Sequence, residues 1–195
     1  QPVRRERGEL QIGDGVLSGI PVFQLSRLAG YALGEGKKVS LVLDYLPELD
    51  AAAWQEEIRR RLDRAENCML RELTEGLVHP KLCALVASRM RLTAENKTGK
   101  LERKNLAAFL NRFREDRYDI TGTGTFQEAQ VTAGGVELSG LTAQFESVFC
   151  PGLYLAGELL DVDGICGGYN LSFAMCSGSA AGMAAASACR SRCKT

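Results

Sequence analysis

The residues best suited to chemistry lie together in one segment, GLYLAGELLDVDGICGGYNLSFAMCSGSAAG, residues 152–182. Its pattern predicts a short strand, a loop rich in carboxylates, and a long helix that begins after two glycines. Gly167 and Gly168 would let a ligand approach the amides at the start of that helix, which carry a partial positive charge. Carboxylates of the loop could accept hydrogen bonds from ligand hydroxyls. These carboxylates belong to Glu158, Asp161 and Asp163.

A second interpretation of the same segment stays open on the residues alone. The glycines could serve only the packing of a tight strand–loop–helix crossover, and spacing by itself slightly favours this interpretation because the pattern is not GxGxxG. If a ligand does bind, the acidic loop argues against a bare phosphate. A polyol or a neutral heteroaromatic edge fits those carboxylates better.

Hydrophobic periodicity predicts the elements that position this segment. A β-branched and leucine-rich run at 38–46 predicts a strand, and 118–126 predicts a returning strand. Between them, apolar stripes predict a helix from Asp50 to Leu77, followed by two more over 80–90 and 101–117. Further along, we predict a strand or turn at 127–136, a strand at 153–156 and a helix over 169–189. Ser18 is the predicted cap of an earlier helix.

These elements predict an α+β fold in three parts. Residues 1–49 form a partial β-barrel or sheet with one helix, and residues 50–118 form a small helical bundle inserted between strands. Residues 119–195 add a C-terminal strand–loop–helix segment that needs a partner sheet. The glycines follow this division, because residues 121–195 hold 12 of the 21 and residues 51–120 hold two.

Composition bears on the class of partner. The 24 basic and 24 acidic residues give a net charge of zero, which argues against nucleic-acid binding by bulk electrostatics. The arginine run at 59–64 is interleaved with acidic residues and is more typical of a solvated helix face. The run at 167–189 is uncharged, but its serines, glycines and alanines make it too polar for a membrane span. We therefore predict neither a nucleic-acid nor a membrane partner.

Cysteine and histidine usage indicates the compartment. The chain has seven cysteines without CxxC spacing and a single histidine, so neither a disulfide framework nor a zinc site is predicted. Reduced thiols in the cytoplasm are the expectation.

Two stretches carry a resemblance to a known family. VTAGGVEL (131–138), followed by PGLYLAGELLDVDGICGGYNLSFAMCSGSAAG (151–182), resembles the closing signature of the bacterial BaiN-like and aminoacetone-oxidase-like FAD-dependent oxidoreductases. Proteins of this family are often labelled NAD(FAD)-utilising dehydrogenases. GELQIGDGVLSGIPVFQLSR (8–27) resembles the family's segment between its barrel and a helix. With the helical insert between them, the resemblance covers the whole chain.

The resemblance implies an FAD site. Glu158 and Asp161 would face the ribityl chain, and the start of the helix at 168–171 would meet the pyrimidine edge of the isoalloxazine. Reduced flavin gains negative charge at that edge, which a helix N-terminus stabilises. No side chain is identified as a catalytic acid or base. The implied cofactor-binding residues are Thr132, Gly134, Gly157, Glu158, Asp161, Gly167, Gly168, Tyr169, Asn170 and Leu171.

The family's N-terminal GxGxxG, which would cradle the ADP half of FAD, is not found in this sequence. We therefore expect the chain to be the C-terminal portion of a flavin-dependent oxidoreductase, inactive by itself and unable to retain FAD. Its expected partners are the missing N-terminal FAD-binding region of the same protein, an unidentified small-molecule substrate, and NAD(P)H as a candidate electron donor. The alternative is a non-enzymatic helical interaction or dimerisation module, with 50–118 as its working part.

Overall fold

The computed structural model describes residues 4–192, and the chain divides into two compact units. Residues 39–120 form the first, called the helical unit below. The segments up to 38 and from 121 onward together form the second, called the glycine-rich unit. In chain order the elements are β1 (Gln11–Ile12), β2 (Leu17–Ser18), α1 (Ile20–Gly34), β3 (Val39–Leu43), α2 (Ala51–Leu62), α3 (Leu70–Leu73), α4 (Pro80–Arg89), α5 (Arg103–Arg112), β4 (Asp116–Ile120) and α6 (Tyr169–Arg192).

Two antiparallel strands begin and end the helical unit. β3 pairs with β4 in a register that runs from Val39 opposite Ile120 to Leu43 opposite Asp116. Both strands were predicted, but β4 is shifted, since it starts before residue 118 and stops at Ile120. Residues 121–126 are exposed and contain two glycines, which lack side chains to pack on a neighbouring strand.

Four helices of the helical unit surround one apolar core. Phe109 and Phe113 are fully buried, and their rings meet edge to face with centroids 5.3 Å apart. Such a continuous core is what holds short helices in place, because helices of this length are marginal by themselves. The buried apolar residues are Trp54, Ile58, Leu62, Ala65, Leu70, Leu73, Cys83, Val86, Ala87, Leu106, Phe109, Leu110 and Phe113.

The prediction of one continuous helix from Asp50 to Leu77 is wrong. Asp50 does cap α2, accepting from the amide of Ala53 at 2.8 Å, but the helix ends at Leu62 and a 3₁₀ turn and the short α3 follow. At the end of the helix, Arg103 donates through Nη1 to the Leu62 carbonyl at 3.1 Å. Buried Thr98 fixes the segment that follows: its amide donates to the Cys68 carbonyl at 2.9 Å, and its hydroxyl lies 2.7 Å from the same oxygen. The carbonyl at 68 is thereby bonded to a loop instead of continuing a helix.

A fully buried carboxylate, Asp116, is the polar centre of the helical unit. Its Oδ2 accepts from the hydroxyl of Tyr118 at 2.7 Å and from that of Tyr45 at 3.1 Å. Its Oδ1 lies 3.4 Å from Arg89 of α4 and 3.3 Å from Arg112 of α5. Burial, together with the neighbouring carboxylate, raises the pKa of Tyr45 and of Tyr118, so both phenols stay protonated and can donate.

In the glycine-rich unit, a short hairpin leads into α1. β1 pairs with β2 antiparallel, and the helix cap that follows is Gly19 rather than the predicted Ser18. Gly19 has φ +110°, and a β-carbon there would collide with the Glu9 carbonyl. Only glycine adopts this conformation without strain while allowing so close an approach.

The long helix α6 closes the glycine-rich unit and was predicted at 169–189. It is longer at its C-terminal end, reaching Arg192. Despite its 24 residues, neither it nor any other helix within 4–192 combines the length and apolarity needed to cross a membrane. The six cysteines in that range are free, and Cys193 lies outside it.

Candidate functional site

The chain before the predicted site does not form the strand expected at 153–156. Tyr154 makes one isolated antiparallel bridge with Glu146. The flanking bonds run from Ser147 N to Leu153 O at 2.8 Å and from Leu155 N to Phe145 O at 3.0 Å. A regular strand needs a longer paired neighbour, and within the described residues this segment is bonded on one edge only, to a turn.

The first glycine of the site packs the loop onto α6. Gly157 has φ +70°, and its amide donates to Ser177 Oγ at 3.0 Å. Ser177 is buried and in turn donates to the Phe173 carbonyl at 2.6 Å. A β-carbon on Gly157 would lie 3.6 Å from that of Ala174. Ser177 was not among the predicted site residues. The one feature of the sequence that could have indicated it is a hydroxyl side chain on a helix made mostly of small residues.

Residues 134–136 approach the same loop closely. Val136 and Leu160 form a parallel bridge, in which Val136 N donates to Leu159 O at 2.9 Å and Asp161 N donates to Val136 O at 3.0 Å. A β-carbon on Gly135, where φ is +146°, would lie 2.6 Å from the Leu159 carbonyl oxygen. Glycine is therefore needed at 135. Gly134 has φ +97° and faces open space.

Two of the predicted cofactor residues bind each other. The carboxylate of Glu158 accepts from the amide of Thr132 at 2.8 Å and from its hydroxyl at 3.2 Å. The structure thus brings Thr132 to the acidic loop across 26 residues. Because both side chains are exposed, the pair also remains open to a ligand.

The two aspartates of the loop share one cation. Arg27 of α1 donates through Nη2 to Asp161 Oδ1 at 3.0 Å and contacts Asp163 through Nη1. Asp161 is therefore engaged within the chain, in addition to being a predicted ribityl contact. Sequence reasoning missed Arg27, whose signal was a single charge on an otherwise uncharged helix between Ile20 and Gly34.

Asn170 fixes the turn that opens α6. Its Oδ1 accepts from the amide of Gly164 at 2.7 Å, and its Nδ2 donates to the Gly164 carbonyl at 3.2 Å. Gly167 and Gly168 follow with φ values of +134° and +90°, and a β-carbon on Gly168 would meet nothing within 4 Å. Gly168 therefore has room for a side chain, whereas a β-carbon on Gly164 would lie 3.0 Å from that of Tyr169 and 3.9 Å from the amide nitrogen of Asn170, so Gly164 packs against the start of α6.

The first amides of α6 are available as donors. Ser172 N donates to Gly168 O at 3.0 Å, whereas for the amides of Tyr169, Asn170 and Leu171 no acceptor occurs among residues 4–192. Tyr169 and Leu171 expose 59% and 67% of their surface, so this end of the helix faces outward. Three parallel donors next to an exposed aromatic and an exposed aliphatic side chain suit a flat ligand with acceptor atoms along one edge.

With this geometry in view, comparison with known proteins establishes the family. The family model described as HI0933-like protein Rossmann domain matches residues 18–184, so the chain belongs to the HI0933-like family. This bears out the flavoprotein resemblance at the level of the family.

Curated relatives agree. The 3-dehydro-bile acid delta(4,6)-reductase of Clostridium scindens is 36% identical over 187 residues, which are 95% of this chain and 46% of the relative. The ribosomal RNA dihydrouridine synthase of Haemophilus influenzae is 31% identical over 138 residues, 69% of this chain and 33% of the relative. The protein of the same name from Escherichia coli is 38% identical over 68 residues, 34% of this chain and 17% of the relative. The chain thus spans less than half the length of each.

The polar groups of this segment are of the kind that bind a flavin. The amides at the start of α6 could donate to the carbonyl and nitrogen acceptors of a pyrimidine edge. The carboxylates of Glu158 and Asp161 could accept from ribityl hydroxyls, and each already accepts within the chain, from Thr132 and Arg27 respectively.

Proposed function

We propose that the chain is the flavin-contacting part of a flavin-dependent oxidoreductase. The observation that carries the proposal is the start of α6, where three amides have no acceptor among residues 4–192 and a β-carbon on Gly168 would meet nothing within 4 Å. Membership of the HI0933-like family and the similarity to a reductase support it. The cofactor would be FAD, which supplies the redox step and requires no acid or base from this chain.

Six of the predicted cofactor-binding residues then have a defined role in binding. The amides of Tyr169, Asn170 and Leu171 would donate to the pyrimidine edge, where their partial positive charge favours the reduced flavin. Asn170 itself holds the turn, through Gly164. Glu158 and Thr132, already bonded to each other, would bind the ribityl region together with Asp161.

We propose that a separate dinucleotide-binding region of the same protein completes the site. This is consistent with the chain's spanning 46% of the bile acid reductase. The surface of α6 supports it as well. Leu171, Met175 and Met183 expose 67%, 71% and 67% of their surface on a helix with no charge before Arg190. A sheet of the missing region would remove this uncharged face from water.

The direction of the reaction is proposed to be reduction of a small-molecule substrate, with NAD(P)H as the candidate electron donor. One relative is named a 3-dehydro-bile acid delta(4,6)-reductase and two are named ribosomal RNA dihydrouridine synthases. All three names support reduction, and the first, which matches 95% of this chain, supports a small-molecule substrate. The helical insert predicted at 50–118 would lie on the substrate side. We propose a cytoplasmic location for the whole protein.

Flavin content tests the placement. The complete reading frame that contains this chain is expressed and purified as wild type and with Gly168→Val or Asn170→Ala, and Asp119→Asn, an exposed position in the helical unit, serves as the control. The absorbance spectrum then gives bound FAD per protein. We expect yellow protein for the wild type and the control, and lower occupancy for the two site variants.

Three results would count against the proposal. A colourless complete protein that takes up no added FAD would remove the flavoprotein function and leave the helical interaction module as the alternative. Unchanged flavin occupancy in both site variants would remove the placement at α6. An in-frame stop codon directly upstream of Gln1, with no dinucleotide-binding segment, would remove the proposed partner.

A further inference from the structure

Arg27 holds both aspartates of the loop that precedes α6. Its Nη2 donates to Asp161 at 3.0 Å and its Nη1 contacts Asp163. The guanidinium carbon also lies 5.5 Å from the ring centroid of Tyr31, one turn further along α1. Arg27 and the two aspartate side chains are 33%, 32% and 22% exposed, so water screens these contacts only in part.

This arginine balances the charge of the loop. Among residues 4–192, no other lysine or arginine forms an ion pair with Glu158, Asp161 or Asp163. Two carboxylates two residues apart repel each other, and partial burial strengthens the repulsion. A planar guanidinium can donate to both at once, which a lysine ammonium does less well.

The aspartates that Arg27 contacts lie next to the turn that precedes α6. Gly164 directly follows Asp163 and is bonded twice to Asn170, at 2.7 and 3.2 Å. On the other side, Asp161 N donates to Val136 O at 3.0 Å. A displacement of the aspartates would therefore move both the turn and the strand-like residues beside it.

We propose that Arg27 is a positioning residue of the flavin site, a proposal that rests on the function proposed above. It acts through Asp161 and Asp163 and has two effects. It holds residues 161–170 so that the amides of α6 face the ligand. It also cancels carboxylate charge that would otherwise oppose the negative charge a flavin gains on reduction.

The test separates position from charge with three variants: Arg27→Gln, Arg27→Lys, and the double variant Arg27→Gln with Asp163→Asn. Hydrogen exchange of the peptide covering 158–171 is measured in the 195-residue chain, and the midpoint potential of bound flavin in the complete protein. Arg27→Gln is expected to speed exchange and to shift the potential to more negative values. Arg27→Lys should change both less, and the double variant should bring the potential back toward wild type because it restores the net charge.

The outcomes are distinguishable from failure of the proposed function. If the wild-type complete protein binds no flavin, the function fails, and exchange at 158–171 still decides whether Arg27 holds the turn. Unchanged exchange in Arg27→Gln removes the positioning role. A potential that stays at the wild-type value while the unfolding midpoint falls reduces Arg27 to a stabilising contact and overturns the proposal.

Discussion

At the scale of single residues, Asp116 joins several parts of the helical unit through its polar contacts. It is fully buried and joins Tyr45, Tyr118, Arg89 and Arg112, which come from four different parts of the unit. Arg89 also stacks on the ring of Tyr118, 3.8 Å from its centroid. Such a network is costly to break, because Asp116 is fully buried and its partners are only partly in contact with water, Arg89 and Arg112 exposing 26% and 35% of their side chains.

Replacing Asp116 by asparagine is expected to destabilise the helical unit by about 1–3 kcal/mol, because hydrogen bonds to a charged acceptor are weakened and the two arginines, which are about a third exposed, are left to be solvated by water. Asparagine keeps an acceptor for the two phenols but leaves both arginines without an opposite charge. Urea unfolding followed by fluorescence of Trp54, the single tryptophan, measures the change. Asp119→Asn on the same strand, at an exposed position, is the control and should be nearly neutral. Equal effects at 116 and 119 would contradict the role given to Asp116.

The same cluster predicts a dependence of stability on pH. Burial raises the pKa of Tyr45 and of Tyr118 above the value of about 10 that they have in the unfolded chain. The folded unit therefore keeps protons that the unfolded chain releases. This stabilisation is complete below pH 10 and is lost as the pH rises further.

Urea midpoints between pH 8 and 11 test this for the wild type and for Tyr45→Phe with Tyr118→Phe. The double variant should be less stable at pH 8, because Asp116 loses two donors, but should lose less stability between pH 10 and 11. Parallel decline of the two proteins over that interval would show that the phenols do not titrate as described.

At the scale of elements, the loop at 157–161 and α6 form the contact on which the site depends. The two are joined through Gly157 and Ser177, and the bridge between Val136 and Leu160 adds a third segment. No regular sheet is present at this point within the described residues, so these few bonds determine where the carboxylates lie.

We predict that Ser177→Ala loosens this contact. The amide of Gly157 would lose its acceptor, and leaving a buried donor unsatisfied costs about 1–3 kcal/mol. Hydrogen exchange of the peptide covering 153–163 should speed up, while peptides of the helical unit should exchange as before. Ser179→Ala removes an exposed hydroxyl from the same helix and should leave exchange at 153–163 unchanged. Slow exchange in Ser177→Ala would show that the loop is held by other contacts.

Local signals in the sequence were sufficient for some elements. The cap at Asp50, the start of α4 at Pro80 and the start of α6 after two glycines are each determined by neighbouring residues. The break after Leu62 was not predictable in this way, since the contacts made there are distant in sequence: Leu62 O accepts from Arg103, 41 residues away, and Cys68 O accepts from Thr98, 30 residues away. The strand expected at 153–156 failed for a similar reason, because a strand is stable only beside a partner.

The site shows the same limit. The glycines and carboxylates of 157–171 could be found from their types and spacing, and their role as flavin contacts remains a prediction. Arg27 and Ser177 could not be found, because the contact of each is with a residue distant in sequence, Asp161 in one case and Gly157 in the other. Distant pairs of this kind are visible only in the folded chain.

At the scale of the whole molecule, the two units differ in what supports them. The helical unit has its own apolar core and buried polar cluster. Among residues 4–38 and 121–192 of the glycine-rich unit, the buried apolar residues are Pro21, Leu160 and Ala181, and exposed ones include Phe126 and Phe149, at 85% and 86%. A unit with so little buried apolar surface of its own is expected to gain stability from a partner surface. The three parts predicted at 1–49, 50–118 and 119–195 remain predictions.

Titration with FAD shows whether the chain belongs to a larger flavin site. The 195-residue chain and the protein from the complete reading frame are each titrated, and binding is followed by the change in flavin fluorescence and absorbance. We expect the complete protein to bind FAD tightly and the 195-residue chain to bind it weakly or not at all, because the proposed site takes only the amides and carboxylates of one side from this chain. A complete protein that shows no FAD binding, or a 195-residue chain that binds as tightly as the complete protein, would contradict this expectation.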